Sequence, residues 1–210
     1  IVVGRFAGSQ SLAAVGSTSA LLNLLINVFM GFSVGVNVLV ARYYGGQKER
    51  DVSETVHTAV TLSLVCGLIL VAVGLALTRP LLELMGTPDD VIDKAVLYMQ
   101  IYFIGMPANM LYNFGSAILR AVVDTKRPLY YLSAAGVVNV ILNLISVIIF
   151  HMDVAGVALA TIISQIISAL CVLRCLMRHE SCLKIRLGEL KIHKEKLMGI
   201  VKLGLPAGMQ

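Results

Sequence analysis

Five stretches of this chain hold no Asp, Glu, Lys or Arg: residues 6–41, 55–78, 95–119, 128–152 and 154–173. Each runs for 20 residues or more, and about 20 apolar residues wound as a helix cross the roughly 30 Å hydrocarbon core of a bilayer. A helix buried in a soluble protein rarely goes so long without a charge. Only 14% of the 210 residues are charged and 58% are hydrophobic, against about 25% charged in an ordinary globular domain. The pattern predicts an all-α polytopic membrane protein.

The first stretch would be ~54 Å long as one helix, too long for a single crossing. A turn-rich segment over 4–10 is therefore expected to precede a second span at about 17–41. Further spans are expected at about 54–77, 92–121, 129–150 and 154–176, with residues 1–6 as the tail of a first span and a seventh starting near Val201. The chain opens already apolar at Ile1 and stops within an apolar run at Gln210, which reads as a piece of a longer protein.

Charge in the loops sets the orientation. If every span crosses, Arg42, Lys48 and Arg50 share one side with Arg120, Lys126 and Arg127 and with the basic run from Arg174 to Lys202, so fourteen of the 17 Lys and Arg lie there. The other side keeps Arg5, Arg79 and Lys94 beside Glu83, Asp89, Asp90, Asp93 and Asp153. Basic loops stay in the cytoplasm, so the N-terminus of the first span is cytoplasmic too, in a bacterial cell (inner) membrane. The net charge of +5 follows from that bias and calls for no nucleic-acid partner; the partner is the lipid bilayer. The basic segment 177–202 reads as a solvated connector, with an amphipathic helix lying on anionic lipid as the other reading.

Polar and small residues recur at four-residue spacing, which keeps them near one helix face. The second span has Asn23, Asn27, Gly31 and Gly35; the fourth has Gly105, Asn109, Asn113 and Ala117; the fifth has Ala135, Asn139 and Asn143; the sixth has Gly156, Ala160, Ser164 and Ser168. Small residues permit close helix packing, and the sixth span's ridge reads that way. Amides in lipid must find partners or face water, so the asparagines mark either interhelical bonds or a polar cavity. Gly105 and Pro107 interrupt the fourth span, where proline removes a backbone hydrogen bond and bends the helix; the bend is either static or a hinge. His57 and His151 lie near span ends and read as interfacial. No charged residue occupies the middle of a complete span and no cluster of His, Asp, Glu, Ser or Cys shares one depth, so no catalytic residues are assigned and the chain is not read as an enzyme. Cys171 and Cys175 lack accompanying ligands; all four cysteines read as packing, with no disulfide and no metal.

Several ordered segments resemble the multidrug and toxin extrusion (MATE) family. Val3-Gly4-Arg5-Phe6-Ala7-Gly8 with Leu12 to Gly16 resembles its first external turn. Gly31-Phe32-Ser33-Val34-Gly35 and Ala41-Arg42-Tyr43-Tyr44-Gly45 resemble the end of its second helix and the following loop. Leu119-Arg120-Ala121 with Asp124-Thr125-Lys126-Arg127-Pro128 resembles its fourth-to-fifth connection, and Asn139 to Asn143 with Gly156, Ala160-Thr161 and Ser164-Gln165 its fifth and sixth helices. The resemblance implies twelve helices in two six-helix lobes that alternate access, with this chain as the N-terminal lobe over 1–176, a basic inter-lobe linker over 177–202 and the start of a seventh helix over 203–210. It also implies a cation site built from a first-helix acid, two polar residues four apart on the fifth helix and a Thr on the sixth. Asn139, Asn143 and Thr161 stand at the last three positions; the second is often Asp in the family and is Asn here. The acid would lie before Ile1.

On that resemblance the expected function is a secondary antiporter exporting amphipathic or cationic organic compounds, multidrug efflux driven by Na+ or H+ and no other cofactor, in a protein that is monomeric when full length. Asn27, Tyr98, Asn109 and Asn113 would line the substrate cavity, and Gly105 and Pro107 would form a hinge. The alternatives are a lipid-linked oligosaccharide flippase of the same superfamily, whose cavity tends to be cationic, and a membrane scaffold that transports nothing.

Overall fold

The computed structural model describes residues 9–84, 89–152, 154–179 and 182–208, and every regular element among them is helical. Helix α1, Ser9–Gly45, has 37 residues and is ~55 Å long at 1.5 Å per residue. The first-span tail expected over 1–6 and most of the turn expected over 4–10 lie outside the described residues. From Ser9 the chain is already helical, so the second span starts ahead of the expected residue 17, with no proline to interrupt 9–45 and its glycines carried within the helix. A helix longer than the hydrocarbon core tilts or emerges from it. Gly45 and Gly46 end α1, and Gln47, at φ 53°, turns the chain.

Helix α2, Glu49–Leu84, starts with Glu49 and Asp51 in its first turn, where acidic groups complement the positive end of the macrodipole. The expected fourth span is two helices, α3 (Asp89–Ile104) and α4 (Met106–Ala121), of 16 residues each. They part at Gly105, whose N–H bonds Tyr102 O at 3.0 Å while its own carbonyl accepts from Asn109 N–H at 3.1 Å. Pro107, just inside α4, has no N–H to continue the ladder. Gly67 of α2 lies under the break: a methyl there would sit 2.9 Å from Pro107 N. The break is thus seated backbone against backbone.

Helix α5, Lys126–Leu144, runs into a π-helical turn at Ile145–Ile149, and α6 is Val154–Met177. A 3₁₀ turn at Leu187–Glu189 precedes α7, Lys194–Gly208. Among the described residues α2, α5 with its π turn, and α6 are long and apolar enough to cross a membrane by length and composition. The core lies around α2, α3 and α4, where Leu70, Met99, Phe103, Met110 and Phe114 are buried. α5 stands at the edge; along its length and the π turn only Pro128, Ala135 and Val147 are buried.

The largest helix contact joins α1 to α7. The two run antiparallel, and glycines four apart meet: a methyl on Gly31 would lie 2.5 Å from Gly204 O, one on Gly35 would lie 2.9 Å from Gly204 N, and one on Gly204 would lie 2.7 Å from Gly31 O. Only glycine permits so close an approach.

The segment 182–193, expected as part of a solvated connector, folds back on α2 instead. Leu183 and Ile185 are buried. Arg186 N–H donates to His57 Nε2 at 3.2 Å and His193 N–H to Thr58 Oγ1 at 3.1 Å. α7 then begins at Lys194, inside the stretch read as linker to 202. Lys196 is buried, pairs with Asp51 and lies 4.2 Å from the centre of the Tyr43 ring. His57 is therefore covered by this strap rather than open at an interface.

Candidate functional site

α5 and α6 approach antiparallel, and their polar residues arrive at matching depth. Asn139 lies 13 residues after Lys126, and Thr161 lies 13 before Arg174, each about 20 Å from the basic end of its helix. Asn139 Nδ2 donates to Thr161 Oγ1 at 3.5 Å and Ser164 Oγ at 3.3 Å. Both hydroxyls have spent their single proton on backbone: Thr161 on Val157 O at 2.9 Å and Ser164 on Thr161 O at 2.7 Å. They can therefore only accept, which fixes the way round of the Asn139 amide. Asn143 Nδ2 in turn donates to Asn139 Oδ1 at 2.9 Å.

Every donor in this chain of bonds points one way, from Asn143 through Asn139 to α6, and an acceptor is left over at its start. Asn143 Oδ1 is buried and has no hydrogen-bond partner. A buried carbonyl oxygen without a donor is costly and rare enough to need an explanation. Amide and hydroxyl oxygens are hard ligands, the kind that suits Na+, and none of them can release a proton near neutrality.

The structure places the other expected residues in three settings. Asn27 is exposed on α1. Tyr98 is buried in α3 with its ring stacked on Tyr102, centroids 6.1 Å apart. Asn109 and Asn113 form a half-buried pair along α4, with Asn113 Nδ2 donating to Asn109 O and Oδ1, both at 2.8 Å. Gly105 and Pro107 sit at the α3–α4 break described above. Of the small ridge on α6, Gly156, Ala160, Ser164 and Ser168 are all buried, the packing role expected of it, yet Ser164 also serves the amide cluster. Its signal was its place three residues after Thr161, one turn along the same face. Two further polar residues had no such signal. Asn37 Nδ2 donates to Ala117 O at 2.9 Å, tying α1 to α4, from a position about 80° round α1 from Asn27. Gln165 Nε2 donates to Tyr102 OH at 3.5 Å while its Oε1 is buried without a partner.

The MatE family matches residues 1–145 of this chain. The probable multidrug resistance protein YoeA of Bacillus subtilis (strain 168) is 34% identical over 218 residues, covering 100% of this chain and 47% of that protein. The probable multidrug resistance protein YpnP of the same organism is 30% identical over 208 residues, covering 99% of this chain and 46% of the relative. The outward-facing conformation of a multidrug resistance MATE family transporter superposes with a TM-score of 0.91 at 25% identity, over 99% of this chain and 46% of that one. The chain thus spans about half the length of the proteins it matches, and its helices follow the N-terminal lobe of the matched fold. Matched over more than half its residues, in sequence and in helix arrangement, the chain belongs to the MatE family of integral membrane transporters.

Proposed function

We propose that this chain is the N-terminal lobe of a secondary antiporter that exports amphipathic or cationic organic compounds in exchange for Na+ or H+, with Asn139, Asn143 and Thr161 at its cation site and Ser164 beside them. The observation that carries the reading is the unpartnered, buried Asn143 Oδ1 at the head of a one-way chain of hydrogen bonds. If these amides only tied α5 to α6, the bonds from Asn139 would suffice and the last oxygen would be better replaced by an apolar atom. A cation, or the proton of an acid from elsewhere in the protein, completes it. The names of YoeA and YpnP support drug efflux as the direction of transport. With no carboxylate at position 143, coupling to H+ rests on an acid outside this cluster, while coupling to Na+ uses the oxygens already gathered. The basic loops support an orientation with the strap in the cytoplasm.

The test replaces Asn139, Asn143 and Thr161 singly by Ala in the intact protein and compares membrane abundance with efflux of a fluorescent organic cation under imposed Na+ or H+ gradients. Normal abundance with lost gradient dependence is expected. Unchanged efflux in all three variants would remove the site.

A further inference from the structure

The strap over α2 is held by bonds that define a protonation state. His57 is 4% exposed beneath it. Its Nδ1 lies 2.8 Å from Ser53 O, an acceptor, so Nδ1 carries the proton and donates. Its Nε2 lies 3.2 Å from the Arg186 backbone N–H, a donor that cannot be turned round, so Nε2 must offer its lone pair. Only the neutral, Nδ1-protonated imidazole meets both demands; an imidazolium has two donors and no acceptor. The next residue anchors the other end of the strap. Thr58 Oγ1 spends its proton on Glu54 O at 2.7 Å and accepts from His193 N–H at 3.1 Å. Residues 186 and 193 are thereby pinned to consecutive residues of α2, and α7 begins immediately after, at Lys194.

We propose that His57 is a proton-operated latch: the neutral ring clamps the strap and with it the root of α7, and a proton taken up at Nε2 releases the Arg186 end. When that proton arrives, the lone pair facing Arg186 is gone and two N–H groups oppose each other. Imidazole is the side chain whose ordinary titration falls between pH 5 and 8. The ionisable groups around the small cavity beside the ring, of about 260 Å³, are Glu54 from α2 and Glu189, Lys191 and His193 from the strap. Glu54 is taken by Arg50 at 3.0 Å, Glu189 by the Arg186 guanidinium at 3.1 Å, and nearby Asp51 by Lys196. His193 enters through its backbone, which leaves His57 as the ring whose charge state decides a strap bond. The inference rests on the strap's geometry and stands apart from what the protein exports.

Hydrogen exchange of the intact protein in lipid nanodiscs, followed by mass spectrometry on peptides covering 183–193, reads the latch without any transport assay. After correction for intrinsic exchange, the wild-type strap should exchange at least about fivefold faster at about pH 5.5 than at about pH 7.5, the scale of one lost hydrogen bond. Peptides from the buried middle of α2 around Leu70 should not change. His57→Gln keeps an acceptor near the Nε2 position and does not titrate, so its strap should exchange alike at both pH values, whereas His193→Gln should keep the wild-type response. A wild-type strap indifferent to pH overturns the proposal. So does a pH response that persists in His57→Gln, and if that variant fails to fold, a response abolished in His193→Gln does the same.

Discussion

Gly35→Ala would place one methyl group between two backbones. The added carbon would lie 2.9 Å from Gly204 N and 3.2 Å from Gly204 Cα, and closer still to Ile200 O. All three are main-chain atoms, so no side chain can swing aside and α1 and α7 must separate. A carbon and a carbonyl oxygen rest about 3.3 Å apart or more, so the helices part by on the order of 1 Å. A gap of that size forfeits up to about half the dispersion attraction of the atoms lining it. Overpacking of this kind ordinarily costs about 1–3 kcal/mol, and the better helix propensity of alanine returns up to about 1 kcal/mol. The net is about 1–2 kcal/mol, which in an intact protein about twice this length lowers the thermal midpoint by on the order of 2 °C. Fluorescence-monitored unfolding of the purified intact protein in detergent measures it. Gly136→Ala is the control, because a methyl there meets no atom within 4 Å, and its midpoint should stay level or rise slightly. Equal midpoints for Gly35→Ala and Gly136→Ala would refute the backbone contact. The double variant Gly31→Ala, Gly35→Ala should lose less than the sum of the single losses, since the first methyl already opens the seam.

Asp51→Asn should lower the midpoint across neutral pH, while Glu83→Gln, which breaks the open Arg79–Glu83 pair, should not. The hydrogen bond from Lys196 holds the Asp51 carboxyl below its ordinary range. Burial works to lower the Lys196 ammonium, but its bonds to Asp51 and Tyr43 outweigh that and leave it raised. A depressed acid stabilises above its unfolded pKa and a raised base below its own. The pair therefore contributes between roughly pH 4 and pH 10, and the wild-type advantage should shrink as pH falls below that window; a pH-independent difference would count against the ion pair. For orientation, a membrane-impermeant maleimide should label a variant keeping only Cys182 after cell lysis and not before, and should leave a second variant keeping only the buried Cys66 untouched in both conditions; labelling of Cys182 on intact cells would reverse the assignment.

The long apolar helices and their four-residue polar stripes were legible in the residues because each depends on spacing along one helix, whereas the grouping of Asn139 with Thr161 was implied by the MATE resemblance. Absence of charge over 20 residues and a four-residue repeat survive whatever the helices pack against. The contacts that were not legible run from a side chain to a main chain. Asn37 bonds a carbonyl that any residue at 117 would supply, and His57 and Thr58 bond backbone N–H groups at 186 and 193. Nothing in the identities of Ala117, Arg186 or His193 advertises those bonds. The boundary of α7 at Lys194 was hidden for a related reason. The charges from Lys191 to Lys202 suggest a water-exposed linker, yet Lys196 is drawn inward by Asp51 and the Tyr43 ring. The break at Gly105 could be read as a bend from Pro107, while its seat on Gly67 needed the fold.

The sparse packing of α5 has a consequence for biogenesis. The polar bonds of Asn139 and Asn143 run within α5 or to α6, the next helix made, and only a short reversal between Ile149 and Val154 separates the two. Such a hairpin can enter the bilayer as one unit, its amide N–H donors already paired and only Asn143 Oδ1 left open, before it meets α1–α4. Translocation of an unpaired asparagine into lipid is the step this order avoids. The cluster at Asn139 thus bears on the order in which the ribosome's product assembles as well as on the finished protein.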